Sequence, residues 1–253
     1  MRIDLNSDLG EHYGSWHMGD DDALLDIVTS ANVACGFHAG DPHSMLATVR
    51  AAAARGVTIG AHVSYPDLVG FGRRPMEVSH EELMTDVIYQ IGALQGIAQA
   101  VGTRVAYVKP HGALYNRIAH DERQAGAVID AMLAINPELP LVALAGAPVI
   151  AQAAAAGLRT IAEAFADRAY KADGSLVPRG QPGAVLHDPE MVGARMVRLA
   201  REGVVESAAG TLVSIPVDSM CVHGDSSGAV AMAQAVRRHL LRAGVTLAPF
   251  VAA

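Results

Sequence analysis

Lysine is nearly absent from this chain of 253 residues: it has Lys109 and Lys171 only, against 19 − 2 = 17 arginines. Aromatic residues are also scarce, at 4%. Cysteine is limited to Cys35 and Cys221, too few for a disulfide framework, so a reducing, cytoplasmic setting is expected. Basic runs never exceed the pairs Arg73-Arg74 and Arg237-Arg238, and the formal net charge is −7. That balance excludes a nucleic-acid grip built on phosphate contacts. The opening Met1-Arg2-Ile3-Asp4 puts an acid where a secretory signal needs an apolar stretch, so no signal is expected. Leu139 to Leu158 carries no charge, but Pro140, Gly146 and Pro148 divide it. It reads as a strand (141–145) followed by a helix (148–156), not as a membrane span.

What remains is 51% hydrophobic and 18% charged, the composition of a folded globular chain. Short apolar runs at 3–8, 32–37, 57–63, 105–110, 141–145, 160–164 and 219–224 alternate with helical patterns at 21–30, 42–54, 80–101, 121–135, 148–156, 189–201 and 228–242. Asp41-Pro42 and Asp188-Pro189 supply an N-cap followed by proline at the first helical position. Alternation at this spacing, with no linker-like break, predicts a parallel β/α barrel spanning 1–253 as one domain. Residues 204–206 and 211–217 read as a β-hairpin inserted before the last core strand, 246–248 as a candidate eighth strand, and 168–183 as a surface loop over one end.

Side-chain parity sharpens this picture. Successive strand residues face opposite sides, so Asp4, Asn6 and Asp8 share one face while Ile3 and Leu5 share the other. The same split puts His62 with Gly60, Lys109 and His111 with Tyr107, and His223 and Asp225 with Cys221. Parallel strands covered on both sides should be continuously apolar, and these are not. The polar parity points to the barrel interior, with its large members at the carboxyl-end mouth where barrel active sites lie. Burying unpaired ionisable groups costs several kcal/mol each, so their convergence points to chemistry.

His38, His62, His111 and His223 all fall at strand ends, near Asp8, Glu11, Asp41 and Asp225. This suggests acid/base work, a metal, or both, although no His-x-x-x-His or Cys-x-x-Cys spacing supports a metal by itself. Lys109 suits stabilisation of an oxyanion or phosphate, or an ion pair with an inward acid such as Asp8. Gly70-Phe71-Gly72-Arg73-Arg74 reads as a loop whose arginines could clamp a carboxylate or phosphate. Glu163, Asp167 and Arg168 are weaker candidates. Gly224-Asp225-Ser226-Ser227-Gly228 fits a nucleophile-elbow pattern, but no Asp or Glu follows it, so a serine hydrolase is rejected in favour of an anion-friendly helix start.

Several blocks together resemble the LamB/YcsF family: Asp4-Leu5-Asn6-Ser7-Asp8-Leu9-Gly10-Glu11, residues 31–41 through Phe37-His38-Ala39-Gly40-Asp41, Gly60-Ala61-His62, Gly70-Phe71-Gly72-Arg73-Arg74, residues 108–115 beginning Val108-Lys109-Pro110-His111, residues 163–170, and Cys221-Val222-His223-Gly224-Asp225. The resemblance runs from end to end. It implies a distorted seven-stranded (β/α) barrel of the glycoside hydrolase/deacetylase type. It also implies the A component of an ATP-hydrolysing 5-oxoprolinase, which with B and C subunits opens the lactam 5-oxo-L-proline to L-glutamate, with ATP, accompanied by Mg2+, as co-substrate.

On that chemistry Asp8, His62, Lys109 and His111 are the catalytic candidates. Asp8, assisted by His62 or His111, would position or deprotonate water, and Lys109 would meet the developing anion. Asn6, Glu11, His38, Asp41, Arg73, Arg74, His223 and Asp225 are the substrate-binding candidates. A bound catalytic metal stays open, with Asp8, His38 and His62 as candidate ligands. The alternatives are a stand-alone metal-dependent amidohydrolase or deacetylase, and a non-catalytic lactam-binding subunit.

Overall fold

A computed structural model describes residues 1–225 and 228–251 of the chain. Six parallel strands follow one another in space as in sequence: β1 (Arg2–Leu9), β2 (Ser30–Ala34), β3 (Thr58–His62), β4 (Val105–Val108), β5 (Leu141–Leu144) and β6 (Thr160–Phe165). An antiparallel hairpin, β7 (Val204–Glu206) and β8 (Leu212–Ser214), interrupts the series. The seventh ring strand, β9 (Ser219–Cys221), then pairs with both β6 and β1 and closes the barrel. β10 (Thr246–Leu247) pairs with Arg2 and Ile3 of β1, just below the point where β9 engages Asp4 to Asn6. The candidate eighth strand is therefore an extension beneath the ring and not a member of it.

Eight helices accompany these strands among the described residues: α1 (Asp21–Leu25), α2 (Pro42–Ala54), α3 (His80–Val101), α4 (Gly112–Ile118), α5 (Glu122–Ile135), α6 (Pro148–Ala155), α7 (Pro189–Glu202) and α8 (Ala229–Arg242). Asp41 and Asp188 cap α2 and α7 ahead of the prolines, and Ser79 with Glu82 forms a capping box on α3. The uncharged run at 139–158 resolves into β5 and α6, and among the described residues no helix is long and apolar enough to cross a membrane. Two local expectations differ. The first helix stops at Leu25 because the Thr29 N–H bonds to the Leu5 carbonyl and draws the chain into the sheet from Ser30. The short α4 has no counterpart among the expected helices; it starts where the Tyr115 N–H bonds back to the His111 carbonyl.

One parity, including Ile3, Leu5, Val33, Ile59 and Val108, belongs to the apolar core around the ring. The other fills the interior with polar layers. At the amino end Asp4 accepts from Thr29 and Ser30 at 2.7 and 2.6 Å, and from Ser219. Above it Asn6 donates to Glu163 (2.9 Å) and Ser219 (2.7 Å) and accepts from Asn32 (2.7 Å). Tyr107 crosses this layer, donating to Asn32 Oδ1 at 2.6 Å, and stacks edge-on against Phe250, which closes the amino end. Such groups are tolerated inside because nearly all find partners.

Two measurements test this interior. A Cβ on Gly60 would lie 2.0 Å from the Tyr107 ring, so Gly60→Ala should lower unfolding stability by about 1–3 kcal/mol through overpacking, measured by urea denaturation. Burial raises the Asp4 carboxyl from 3.8 to about 6, its hydroxyl partners opposing only in part. The native state thus holds the proton more tightly than the unfolded chain. Asp4 contributes stability that is complete below pH 3.8 and lost as the pH rises through about 6, on the order of 3 kcal/mol, and Asp4→Asn should flatten that part of the pH–stability curve.

Candidate functional site

The carboxyl ends of β1, β3, β4, β6 and β9 open into a cleft of about 620 Å3, lined by Asp8, His62, Lys109, His111, Phe165 and His223 among others. The 168–183 loop lies over this end: Arg168, Lys171 and Arg179 line the cleft beside Arg73. Basic side chains thus line the opening, while Asp8 lies at its floor.

Lys109 sits at the floor, 1% exposed. Its Nζ lies 2.9 Å from Asp8 Oδ1, 3.0 Å from Glu163 Oε1, 3.3 Å from Asn6 Oδ1 and 3.2 Å from Cys221 Sγ. Burial works against the ammonium, but the acids beside it prevail and hold its pKa well above the usual lysine range. Burial likewise opposes the Asp8 carboxylate, yet the His62 ring and the Lys109 ammonium beside it hold it well below the usual range. Asn32 Nδ2 also donates to Asp8, at 2.8 Å. Asp8 is therefore a fixed anion rather than a group that trades protons near neutrality.

A second group adjoins the first. His38 Nε2 lies 3.2 Å from Glu11 Oε1, His111 Nδ1 lies 3.3 Å from the same oxygen, and His62 Nε2 is 3.4 Å from Asp8. His38 and His111 stack with ring centroids 3.8 Å apart. Burial, then the charges of Asp8 and Asp225, push Glu11 well above the usual carboxylate range. Burial and the neighbouring histidines drive His38 and His111 well below theirs. The loop that seals this group depends on Gly72, at φ +64°, where a Cβ would fall 2.4 Å from Ser64 Oγ and 2.8 Å from both His38 and His111. Donor atoms of Glu11, His38, His62 and His111 all lie within 4.8 Å of one another. Of the metal candidates named from sequence, His38 and His62 belong to this group, and Asp8 stands beside it with its Oδ1 engaged by Lys109 and Asn32.

A third group forms the rim. Both oxygens of Asp167 lie 2.9 Å from His223 Nδ1, and the His223 ring stacks on Phe165 at 5.1 Å. Asp225 accepts from Arg73 and, at 3.3 Å, from Arg179. Ser226 and Ser227 of the nucleophile-elbow pattern lie outside the described residues.

The interior and rim thus gather Asn6, Asp8, Glu11, His38, His62, Arg73, Lys109, His111, His223 and Asp225. Asp41 and Arg74 are elsewhere. Asp41 is occupied as the α2 cap, accepting from His43, Ser44 and Gly14. Arg74 folds back onto Asp67, its side chain 64% exposed, so of the two arginines only Arg73 lines the cleft. Glu163 is more central than its sequence rank. A charge flanked by alanines inside an otherwise apolar strand is the signal for it, and Cys221 carries its signal in the polar parity.

The family profile of LamB/YcsF matches residues 3–253. The chain belongs to the LamB/YcsF family. It is 66% identical over 248 residues to the third 5-oxoprolinase A subunit of Pseudomonas syringae pv. tomato, covering 98% of this chain and 97% of that protein. It is 63% identical to the 5-oxoprolinase A subunit of Paracidovorax citrulli, covering 99% and 100%. The crystal structure of the lactam utilization protein from Thermus thermophilus superposes with a TM-score of 0.94 at 46% identity, covering 99% of this chain and 100% of that one. A family 4 carbohydrate esterase from Streptomyces lividans, at 10% identity and TM-score 0.52, covers 99% of this chain and 93% of its own, and shares the barrel fold alone with this LamB/YcsF member.

Removing one partner from a buried charge group leaves the others uncompensated. Lys109→Met should cost about 3–5 kcal/mol of unfolding stability at pH 8, and less at pH 5 where the stranded carboxyls take up protons. Urea titration at both pH values measures this; equal losses at the two would contradict it.

Proposed function

We propose that this chain is the A component of an ATP-dependent 5-oxoprolinase, acting with B and C subunits to convert 5-oxo-L-proline to L-glutamate. The near end-to-end identity with relatives bearing that component's name supports this reading more than any other observation. The cleft agrees in kind: a buried fixed ion pair at the floor and arginines at the mouth suit a small anionic lactam.

A five-membered lactam is an unreactive amide, and ATP is needed to activate it. Transfer of the γ-phosphoryl group of Mg2+-ATP to the ring carbonyl oxygen gives an O-phosphorylated imidate and ADP. Water then adds across the C=N bond, one proton going to nitrogen, and leaves a tetrahedral carbon bearing a hydroxyl. That hydroxyl gives up its proton as the C–N bond breaks, the nitrogen takes up a second proton as the amine leaves, and γ-glutamyl phosphate remains. A second water releases phosphate and glutamate. Lys109 faces the charge that develops on oxygen. Asp8, a permanent acceptor, orients the attacking water, while His223, its tautomer fixed by Asp167, carries the proton to the nitrogen. Arg73 holds the carboxylate of the substrate.

The experiment is 5-oxoproline-dependent ADP and glutamate release by the chain with and without B and C subunits. Turnover is expected only from the full set, and Asp8→Asn and His223→Gln, each confirmed folded by circular dichroism, should reduce it by about 100-fold or more. Undiminished turnover in both variants would sink the role assignment. Lactam or amide hydrolysis by the chain alone without ATP would select a stand-alone amidohydrolase instead.

A further inference from the structure

The hydrogen bonds around the buried histidines fix where their protons sit. His62 Nδ1 lies 2.9 Å from the Lys109 carbonyl oxygen, and His111 Nε2 lies 2.9 Å from the Phe71 carbonyl oxygen. A carbonyl only accepts, so both of these nitrogens carry hydrogen. The remaining nitrogens, His62 Nε2 and His111 Nδ1, then present lone pairs to each other across 3.0 Å. Two lone pairs at that distance repel unless a cation lies between or beside them.

Two further donors aim at the same point. Glu11 Oε1 stands 3.3 Å from His111 Nδ1, 3.9 Å from His62 Nε2 and 3.2 Å from His38 Nε2. Four ligands at the 2.0–2.1 Å typical of a nitrogen–metal bond sit roughly 3.3 Å apart at the corners of a tetrahedron. The observed spacings of 3.0–3.9 Å bracket that edge, and the widest separation in the group, within 4.8 Å, needs only a small inward shift. The backbone carbonyls behind His62 and His111 are the outer partners that orient metal-bound imidazoles. Among the described residues His38 Nδ1 has no hydrogen-bond partner; the ring is held by its stack on His111 and by the Phe71 ring at its edge.

We infer that Glu11, His38, His62 and His111 form a binding site for one divalent transition-metal cation, open to the cleft on the side of His62 and His111. Three imidazoles and a single carboxylate favour zinc, cobalt, nickel or iron(II) over magnesium or calcium, which prefer all-oxygen shells. The site is therefore separate from any Mg2+ that accompanies ATP. A cation here would sit beside Asp8, whose oxygen is 3.4 Å from His62 Nε2, next to the space where a lactam carbonyl or a water would lie.

The test is direct metal binding by the full chain, so it stands apart from ring-opening activity and needs no partner subunits. Chelator-treated protein is titrated with Co2+ and followed by visible absorption, and with Zn2+ against a competing chelator. One equivalent of either should bind, with the intense Co2+ bands of a four- or five-coordinate site. His38→Ala and His111→Ala should weaken binding by about 100-fold or more, and Glu11→Gln by at least 10-fold, while Arg74→Ala leaves it unchanged. Circular dichroism confirms that each variant is folded, and Glu11→Gln, nearly isosteric, keeps the test usable if the alanine variants are not. Failure of the parent chain to take up either metal would mean that a proton bridges the two lone pairs, and the inference falls. Stoichiometric binding that survives all three cluster substitutions would place the metal elsewhere and overturn it equally.

Discussion

A single buried ammonium organises the interior of this barrel. Lys109 lies between Asp8 of β1 and Glu163 of β6, two strands on opposite sides of β9, and so ties together the region where the ring closes. Each carboxylate alone would be costly to bury, and so would the ammonium; together they satisfy one another at about 3 Å. Asn6 and Asn32 join this group to the polar layer beneath it. The layered hydrogen bonds below Lys109 replace the branched aliphatic packing usual in closed parallel barrels. The floor of the cleft and the polar interior beneath it therefore share the same side chains.

The strands and the inward-facing residues are legible in the sequence because alternation by two leaves a sharp trace. Spacing alone assigns Asp4, Asn6 and Asp8 of one strand, and Gly60 and His62 of another, to the inward face. Loops have no such period. Nothing in the spacing shows that Arg73 meets Asp225 across 152 positions while its neighbour Arg74 turns back to Asp67. Asp41 looks equally suited to a mouth or a cap, and its extended backbone ahead of Pro42 with hydrogen bonds from His43 and Ser44 decides for the cap. Glu163 is easily underrated because its strand reads as apolar, yet a lone charge among alanines in a parallel strand must have an inward partner.

The histidine group shows how a loop completes what strands begin. β3 delivers His62, and the segments after β2 and β4 deliver His38 and His111. The Phe71 carbonyl and the bare backbone at Gly72 then press onto them from outside. The orientation of His111 is thus set by a backbone carbonyl, and side-chain identity alone gives no hint of it. The rim follows a different logic: His223 pairs with Asp167, and Asp225 with Arg73 and Arg179, at the edge of the cleft.

Closure of the amino end has its own consequence. Tyr107 and Phe250 meet edge to face beneath the polar layers, and β10 covers the flank of β1 below the ring. Among the described residues these contacts stopper the amino end of the cylinder. For the reaction proposed above, a substrate that enters past the arginines leaves by the same doorway, so a product anion lodged at the rim bars the next reactant and the order of product departure follows from the architecture.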